Sequence, residues 1–351
     1  MTDTTLVTGG NGFLALHITR QLLEQGYAVR ATVRSLSQGK VIKETLGGVA
    51  TPHLERLTFA QADLMGDSGW AAAMKGVDSV MSVASPVFPG SGAGGKKYVP
   101  TDADMHAATD GTLRILRAAK DAHVGRVVMT GNFGAVGFSN KDLSRTTTEN
   151  DWTDESERGL SPYEKSKLIA EKRAWDYVRQ IGRQTAGSVS PLEFVTVNPV
   201  AMFGPALGHH VSGSFGILKN ILNGSMVRIP NINLNVIDVR DAAALHVRAL
   251  QSPNAPGSRF IASADGSISM PQIADLIRRE RPERAAAVSQ KRLPNTLVTL
   301  ASPFSEEARE AHLMLSLSRK VSTQRAQDLL GWTPKHTNEE AVLSAVDSLR
   351  M

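Results

Sequence analysis

Eight residues near the start of the chain restrict its fold more than any others: Thr8-Gly9-Gly10-Asn11-Gly12-Phe13-Leu14-Ala15. They follow a short β-prone run, Thr4 to Val7. They lead into a segment whose apolar residues Phe13, Leu14, Leu16, Ile18, Leu22 and Leu23 recur at helical spacing. Gly10-x-Gly12-x-x-Ala15 between a strand and a helix fits a dinucleotide fingerprint. The early glycines permit a tight turn and close approach of backbone to a pyrophosphate, and Ala15 lets the helix lie close to the strand. The free N–H groups and positive dipole end of the helix then face the pyrophosphate. Gly9, Gly10, Asn11, Gly12, Phe13 and Leu14 are the first candidate cofactor residues, with an ordinary glycine-rich turn as the plain alternative.

The fingerprint usually includes an Asp or Glu at the end of the second strand, which binds the ribose 2′-OH of NAD. Here the second strand, Ala28 to Val33, ends at Arg34-Ser35, with Lys40 and Lys43 on the next element. A guanidinium at that place can take a phosphate bidentately, so NADP(H) is favoured over NAD. Asp63-Leu64 follows the third expected strand, Arg56 to Ala60, where an adenine contact is expected.

Apolar β-prone runs alternate with helical patterns through the first two thirds of the chain, which predicts repeated βαβ units and a parallel sheet. Strands are expected near 4–8, 27–33, 56–60, 78–83, 126–130 and 193–197, and helices over 12–25, 103–122, 161–182 and 240–250. From Asn198 onward Pro and Gly become frequent and helices dominate, as in 273–279, 306–315 and 323–330. The expected fold is α/β, a doubly wound Rossmann-type parallel sheet with a smaller, mainly helical C-terminal substrate domain. The dinucleotide domain takes 1–197 and 235–263, and the substrate domain 198–234 and 264–351. Ligands in such sheets bind beyond the carboxyl ends of the strands. The loop Ser85 to Gly95 follows the fourth strand, where it either closes over a substrate or merely connects.

Composition narrows the function. Cysteine is absent, which excludes disulfides, thiolate nucleophiles and Cys-ligated zinc. His209-His210 is the only adjacent histidine pair and has no acidic cluster beside it, so no metal site is expected. The 39 basic and 34 acidic residues are scattered rather than clustered, so no nucleic-acid partner is implied. No stretch approaches the about 18 apolar residues of a membrane span, and the first strand starts almost at the N-terminus, so a cytoplasmic location is expected.

Tyr163 and Lys167 stand four residues apart on an expected helix, one turn apart on one face. Tyrosine ordinarily titrates near pH ~10, and lowering this towards neutrality requires about 4 kcal/mol. A unit positive charge at about 4 Å and an effective dielectric near 20 supplies roughly that much. Lys165 points elsewhere on the helix. A tyrosine packed at a helix start beside a solvated lysine is the plain alternative, and the upstream glycine turn favours chemistry.

The Thr8 to Ala15 turn, Arg34, Asp63-Leu64, Val83-Ala84-Ser85-Pro86, Tyr163-x-x-x-Lys167, Asn198-Pro199 and Asp238-Val239-Arg240-Asp241 together resemble the extended short-chain dehydrogenase/reductase family. Within it the chain looks most like the dihydroflavonol reductase and aldehyde or methylglyoxal reductase branch. The resemblance covers nearly the whole chain. It implies that Tyr163 is the general acid in carbonyl reduction and that Lys167 lowers its pKa. It also implies that Val83, Ala84, Ser85, Thr130, Pro199, Val200 and Met202 lie along the cofactor. One position departs: where the family places a catalytic Ser or Thr, Thr130-Gly131-Asn132-Phe133 puts Asn132. Its amide has two N–H donors and can polarise a carbonyl oxygen. Thr130 is the substitute if the loop is shifted.

The leading expectation is an NADPH-dependent reductase of ketones or aldehydes, an enzyme with a small-molecule carbonyl substrate. Its pocket would draw on Val87, Phe88, Phe133, Phe203 and the Gly208 to Phe215 segment. A nucleotide-sugar epimerase or dehydratase with bound NAD is a second reading. It lacks the acid after the second strand, although Arg228 and Arg240 could supply charge for a diphosphate. A catalytically silent dinucleotide sensor is a third, and would need neither Tyr163 nor Lys167. The resemblance also allows a homodimer paired through helices 103–122 and 161–182.

Overall fold

Strands send successive side chains to opposite faces of a sheet, and burial in this chain follows that alternation. The computed structural model describes residues 3–86, 101–184 and 192–349. In β1 (Thr4–Val7), Leu6 enters one apolar cluster and Val7 the other. β2 (Ala28–Val33), β3 (Leu57–Gln61), β4 (Ser79–Ser82), β5 (Arg126–Thr130) and β6 (Glu193–Pro199) join β1 with a further strand, Arg259–Ala262. On β5 and β6 the alternation recurs, Val127, Met129 and Phe194 on one side, Val128, Val195 and Val197 on the other. Among the described residues these strands form one seven-stranded sheet in the order Arg259–Ala262, β6, β5, β4, β1, β2, β3. Every neighbouring pair is parallel.

Helices cover both faces. α1 (Phe13–Glu24), α2 (Gln38–Gly48), α3 (Trp70–Met74), α4 (Asp102–Asp121), α5 (Pro162–Gln184), α6 (Phe215–Leu222) and α7 (Val239–Gln251) follow the strands in sequence. Trp70, Ile115 and Ile181 from α3, α4 and α5 fill one cluster, and Leu14, Ile18, Leu22 and Leu245 from α1 and α7 belong to the other. The result is the expected doubly wound Rossmann-type sheet. A helical C-terminal region follows, with α8 (Met270–Glu280), α9 (Asn295–Ala301), α10 (Glu306–Ser316), α11 (Gln324–Leu330) and α12 (Asn338–Ser348). Capping boxes start α8 at Ser269 and Gln272 and α12 at Thr337 and Glu340. Among the described residues no helix is long and apolar enough to cross a membrane.

Several elements lie where the sequence suggested none, and two of them bear on the site. β7 (Ala201–Phe203) pairs in parallel with Val236–Asp238, and α6 begins at Phe215. Phe215, Leu218, Ile221 and Leu222 form the buried stripe of α6. Phe215 meets Phe13 edge to face at 5.2 Å between ring centroids, and Phe203 at 6.0 Å. Phe203 and Phe215 are both fully buried, so packing accounts for both rings and they offer no surface to a substrate. Truncating Phe215 to Ala is expected to cost about 3–5 kcal/mol of stability, read from the shift of a urea unfolding midpoint.

Candidate active site

The sheet order reverses at β1, whose two neighbours are β2 and β4, and ligands of such sheets bind at that crevice. The glycine turn after β1 and the Val83-Ala84-Ser85 loop after β4 flank it. Thr8 ties them together, since its hydroxyl oxygen accepts from the N–H groups of Val83 and Ala84, each at 2.9 Å. Gly9 has φ +67°, and a Cβ there would lie 3.0 Å from the Ala84 Cβ; at Gly10 it would lie 2.7 Å from the Ala31 Cβ. Both positions therefore require glycine. α1 starts from Gly12 with no side-chain cap and no acid in its first turn, which leaves its positive end open to an anion. Residues of this kind fit a dinucleotide diphosphate, with Gly9, Gly10, Asn11, Gly12, Phe13 and Leu14 around it.

Arg34 is exposed just beyond β2, and its backbone carbonyl accepts from Gln61 Nε2 at 3.0 Å. Lys40, in the first turn of α2, is solvated and 3.9 Å from Glu44. The Asp63 carboxylate accepts from the Met65 N–H at 3.0 Å and so shapes its own loop. Leu64 lines a narrow cleft with Ala84, Ser85, Thr112, Thr130 and Lys167. His210 stands against the glycine turn, with Nε2 3.3 Å from Asn11 Nδ2. Among the described residues no metal-binding group of three or more side chains occurs.

α5 begins with a reciprocal cap. Ser161 Oγ donates to Glu164 Oε2 at 2.5 Å and accepts from the Glu164 N–H at 3.3 Å. This sets the first turn on which Tyr163 lies, 38% exposed, with Lys167 one turn on and 6% exposed. Asn132 Oδ1 accepts from the Gly134 N–H at 2.5 Å, which turns the amide nitrogen outward as a donor, and the side chain hydrogen-bonds Tyr163. Asn132, Tyr163 and Lys167 are thus brought together.

The electrostatics differ from expectation. Crowding around the phenol raises the Tyr163 pKa, the adjacent Glu164 carboxylate raises it further, and the Asn132 hydrogen bond opposes both. The Lys167 Nζ donates to the Thr130 carbonyl at 3.2 Å. Burial lowers Lys167 to about 8, against the attraction of Glu171. Spacing alone reflects the lysine charge and leaves out the desolvation of both groups.

Thr130 cannot stand in for Asn132. His246 Nδ1–H donates to the Ala242 carbonyl at 2.7 Å, so Nε2 accepts, and the Thr130 hydroxyl donates to it at 2.9 Å. Burial holds His246 at about 4, which keeps the ring neutral. No local pattern in the sequence marks this pair, which meets across the sheet between β5 and α7. Phe133 is buried against Phe138 at 6.1 Å between centroids. Pro199 closes β6, Val200 is buried, and the Met202 carbonyl accepts from Ser212 Oγ at 2.7 Å. Val87 and Phe88, with the rest of the loop beyond Pro86, lie outside the described residues.

Cinnamoyl-CoA reductase 1 of Arabidopsis thaliana is 31% identical over 266 residues, covering 74% of this chain and 70% of that protein. A provisionally named NADPH-dependent methylglyoxal reductase of Candida albicans is 32% identical, over 80% of this chain and 83% of its own. The crystal structure of yeast methylglyoxal/isovaleraldehyde reductase complexed with NADPH superposes with a TM-score of 0.76 at 22% identity, covering 98% of this chain and 97% of that one. Residues 5–261 match the model of the NAD dependent epimerase/dehydratase family. With the glycine turn at the switch point and Lys167 in the cleft beside Ala84, the chain belongs to that family, the extended short-chain dehydrogenases/reductases.

Proposed function

We propose that the protein is an NADPH-dependent carbonyl reductase, converting an aldehyde or ketone reversibly to an alcohol. The observation that carries this reading is Asn132, whose Oδ1 is pinned by the Gly134 N–H and whose side chain hydrogen-bonds Tyr163, one turn from Lys167. The reductase names of the relatives support it, and so does the NADPH dependence in the name of the Candida albicans protein. When bound, NADPH supplies the hydride. Tyr163 donates its hydroxyl proton to the carbonyl oxygen as that oxygen gains charge. A phenol held above its ordinary pKa stays protonated at neutral pH, ready to act as an acid. One Asn132 N–H steadies the phenolate that forms, and the other is available to the substrate oxygen. Lys167, protonated below about 8, adds positive charge one turn away.

Arg34 takes the 2′-phosphate in this proposal, with Lys40 close to it on α2. Residues 1–197 and 235–263 serve the cofactor, and 198–234 with 264–351 the substrate. The epimerase reading is weaker: β2 ends at Arg34 rather than an acid, and Arg240 is engaged with Asp238 through Nε at 2.9 Å and a terminal nitrogen at 2.7 Å.

Oxidation of NADPH with a panel of aldehydes, α-dicarbonyls and aryl ketones tests the proposal. Tyr163→Phe is expected to lower kcat by about 10²–10⁴-fold; full activity in that variant would sink the assignment. Arg34→Ala is expected to weaken NADPH binding roughly 10- to 100-fold with little change for NADH, since a hydrogen bond to a charged group contributes about 1.5–3 kcal/mol. Deprotonating Lys167 removes its charge, so activity is expected to fall as pH rises through about 8. A rate that keeps climbing well past that pH would count against a role for the lysine.

A further inference from the structure

Behind the loop that carries Asn132 lies a buried ionic network centred on Glu171. Glu171, one turn beyond Lys167 on α5, is 0% exposed. Its Oε1 accepts from Arg259 Nε at 2.9 Å and from Thr196 Oγ1 at 3.0 Å. Its Oε2 accepts from Asn198 Nδ2 at 2.6 Å. That same amide nitrogen donates to the backbone carbonyl of Asn132 at 3.2 Å. Arg259 donates onward to the carbonyls of Glu149 at 3.0 Å and Asp151 at 2.7 Å, and lies 3.6 Å over the Trp152 ring. A buried ion pair often adds little net stability, because desolvation offsets the attraction. Its place under residues 130–132 asks for another explanation.

Those three residues are held one by one. The Thr130 carbonyl accepts from Lys167, the Gly131 N–H donates to the Val197 carbonyl at 2.7 Å, and the Asn132 carbonyl accepts from Asn198. Gly131 lies directly on the network. A Cβ there would sit 2.5 Å from Asn198 Nδ2 and 2.9 Å from Glu171 Oε2. Glycine at 131 and asparagine at 132 therefore belong together: the first leaves room for the pair, and the pair fixes the backbone of the second.

We infer that Glu171 and Asn198 are positioning residues: Glu171 orients the Asn198 amide, which holds the Asn132 carbonyl and so aims the Asn132 side chain at Tyr163. The inference rests on the roles proposed above for Asn132 and Tyr163. Glu171 fixes one N–H of Asn198 and leaves the other for the Asn132 carbonyl. An apolar residue at 198 offers neither donor, and a side chain at 131 pushes the amide away.

Two variants reach the pair from opposite sides, Asn198→Leu and Gly131→Ala, so that failure of one to fold leaves the other. The first readout needs no substrate: titration of Tyr163 by phenolate absorbance, isolated as the difference from the matching Tyr163→Phe protein. The charged groups around Tyr163 are Glu164 and Lys167 on α5 and Glu310 of α10 beside Glu164, and both variants leave them in place. Loss of the Asn132 hydrogen bond is expected to move the titration upward by about half a pH unit or more. In turnover, kcat is expected to fall roughly 10- to 100-fold, as misplacement of a reacting group does, while the Kd for NADPH stays within about twofold. An unmoved titration in a folded variant overturns the inference, as does a loss of kcat matched by equal loss of NADPH binding or of folded protein. A wild-type protein that reduces no carbonyl on the panel defeats the reductase reading instead, and the titration still decides the positioning.

Discussion

Everything around the site depends on how closely three stretches of backbone meet at the carboxyl ends of β1, β2 and β4. Thr8 supplies the lock, accepting two N–H groups from the loop after β4. Gly9 and Gly10 supply the clearance, against Ala84 and Ala31 respectively. The Gly10 N–H donates to the Thr32 carbonyl at 2.8 Å, which closes the turn onto β2. With these contacts in place α1 is aimed, uncapped, at the crevice. A Cβ at either glycine would wedge the strands apart and turn the helix away from it.

Much of this was legible in the residues themselves. The six expected strands and seven expected helices differ from the observed elements only at their ends, because their apolar periods are strong and glycine or proline punctuates them. Asn132, Tyr163 and Lys167 were legible as a set because one helix and one strand end carry them. Phe203 and Phe215 were misread as substrate wall, since their aromatic character says nothing of which way α6 turns its stripe. That direction is set by the edge-to-face contact with Phe13, two hundred residues away in sequence. The His246 partner of Thr130 was hidden for the same reason.

Electrostatics was the least legible part. Spacing gives which charges are near and says nothing of what surrounds them. Tyr163 and Lys167 both pay for desolvation, and in opposite senses, so the phenol titrates above and the ammonium below their ordinary values. In the proposed reductase this pair is poised as a neutral acid beside a cation that is lost only in alkaline solution.

The aromatic stack of Phe13, Phe215 and Phe203 has a thermodynamic consequence. Its first ring opens the helix that follows the glycine turn, and the other two belong to β7 and α6 in the segment beyond Asn198. Interlocked rings of this kind leave the two parts of the chain little freedom to melt separately, so they should unfold in one cooperative transition. A nucleotide at a hundred times its Kd, binding only the folded form, would then stabilise both by about 2.7 kcal/mol. Residues that never touch the cofactor would share that protection, and slow hydrogen exchange in α6 would become a gauge of nucleotide occupancy.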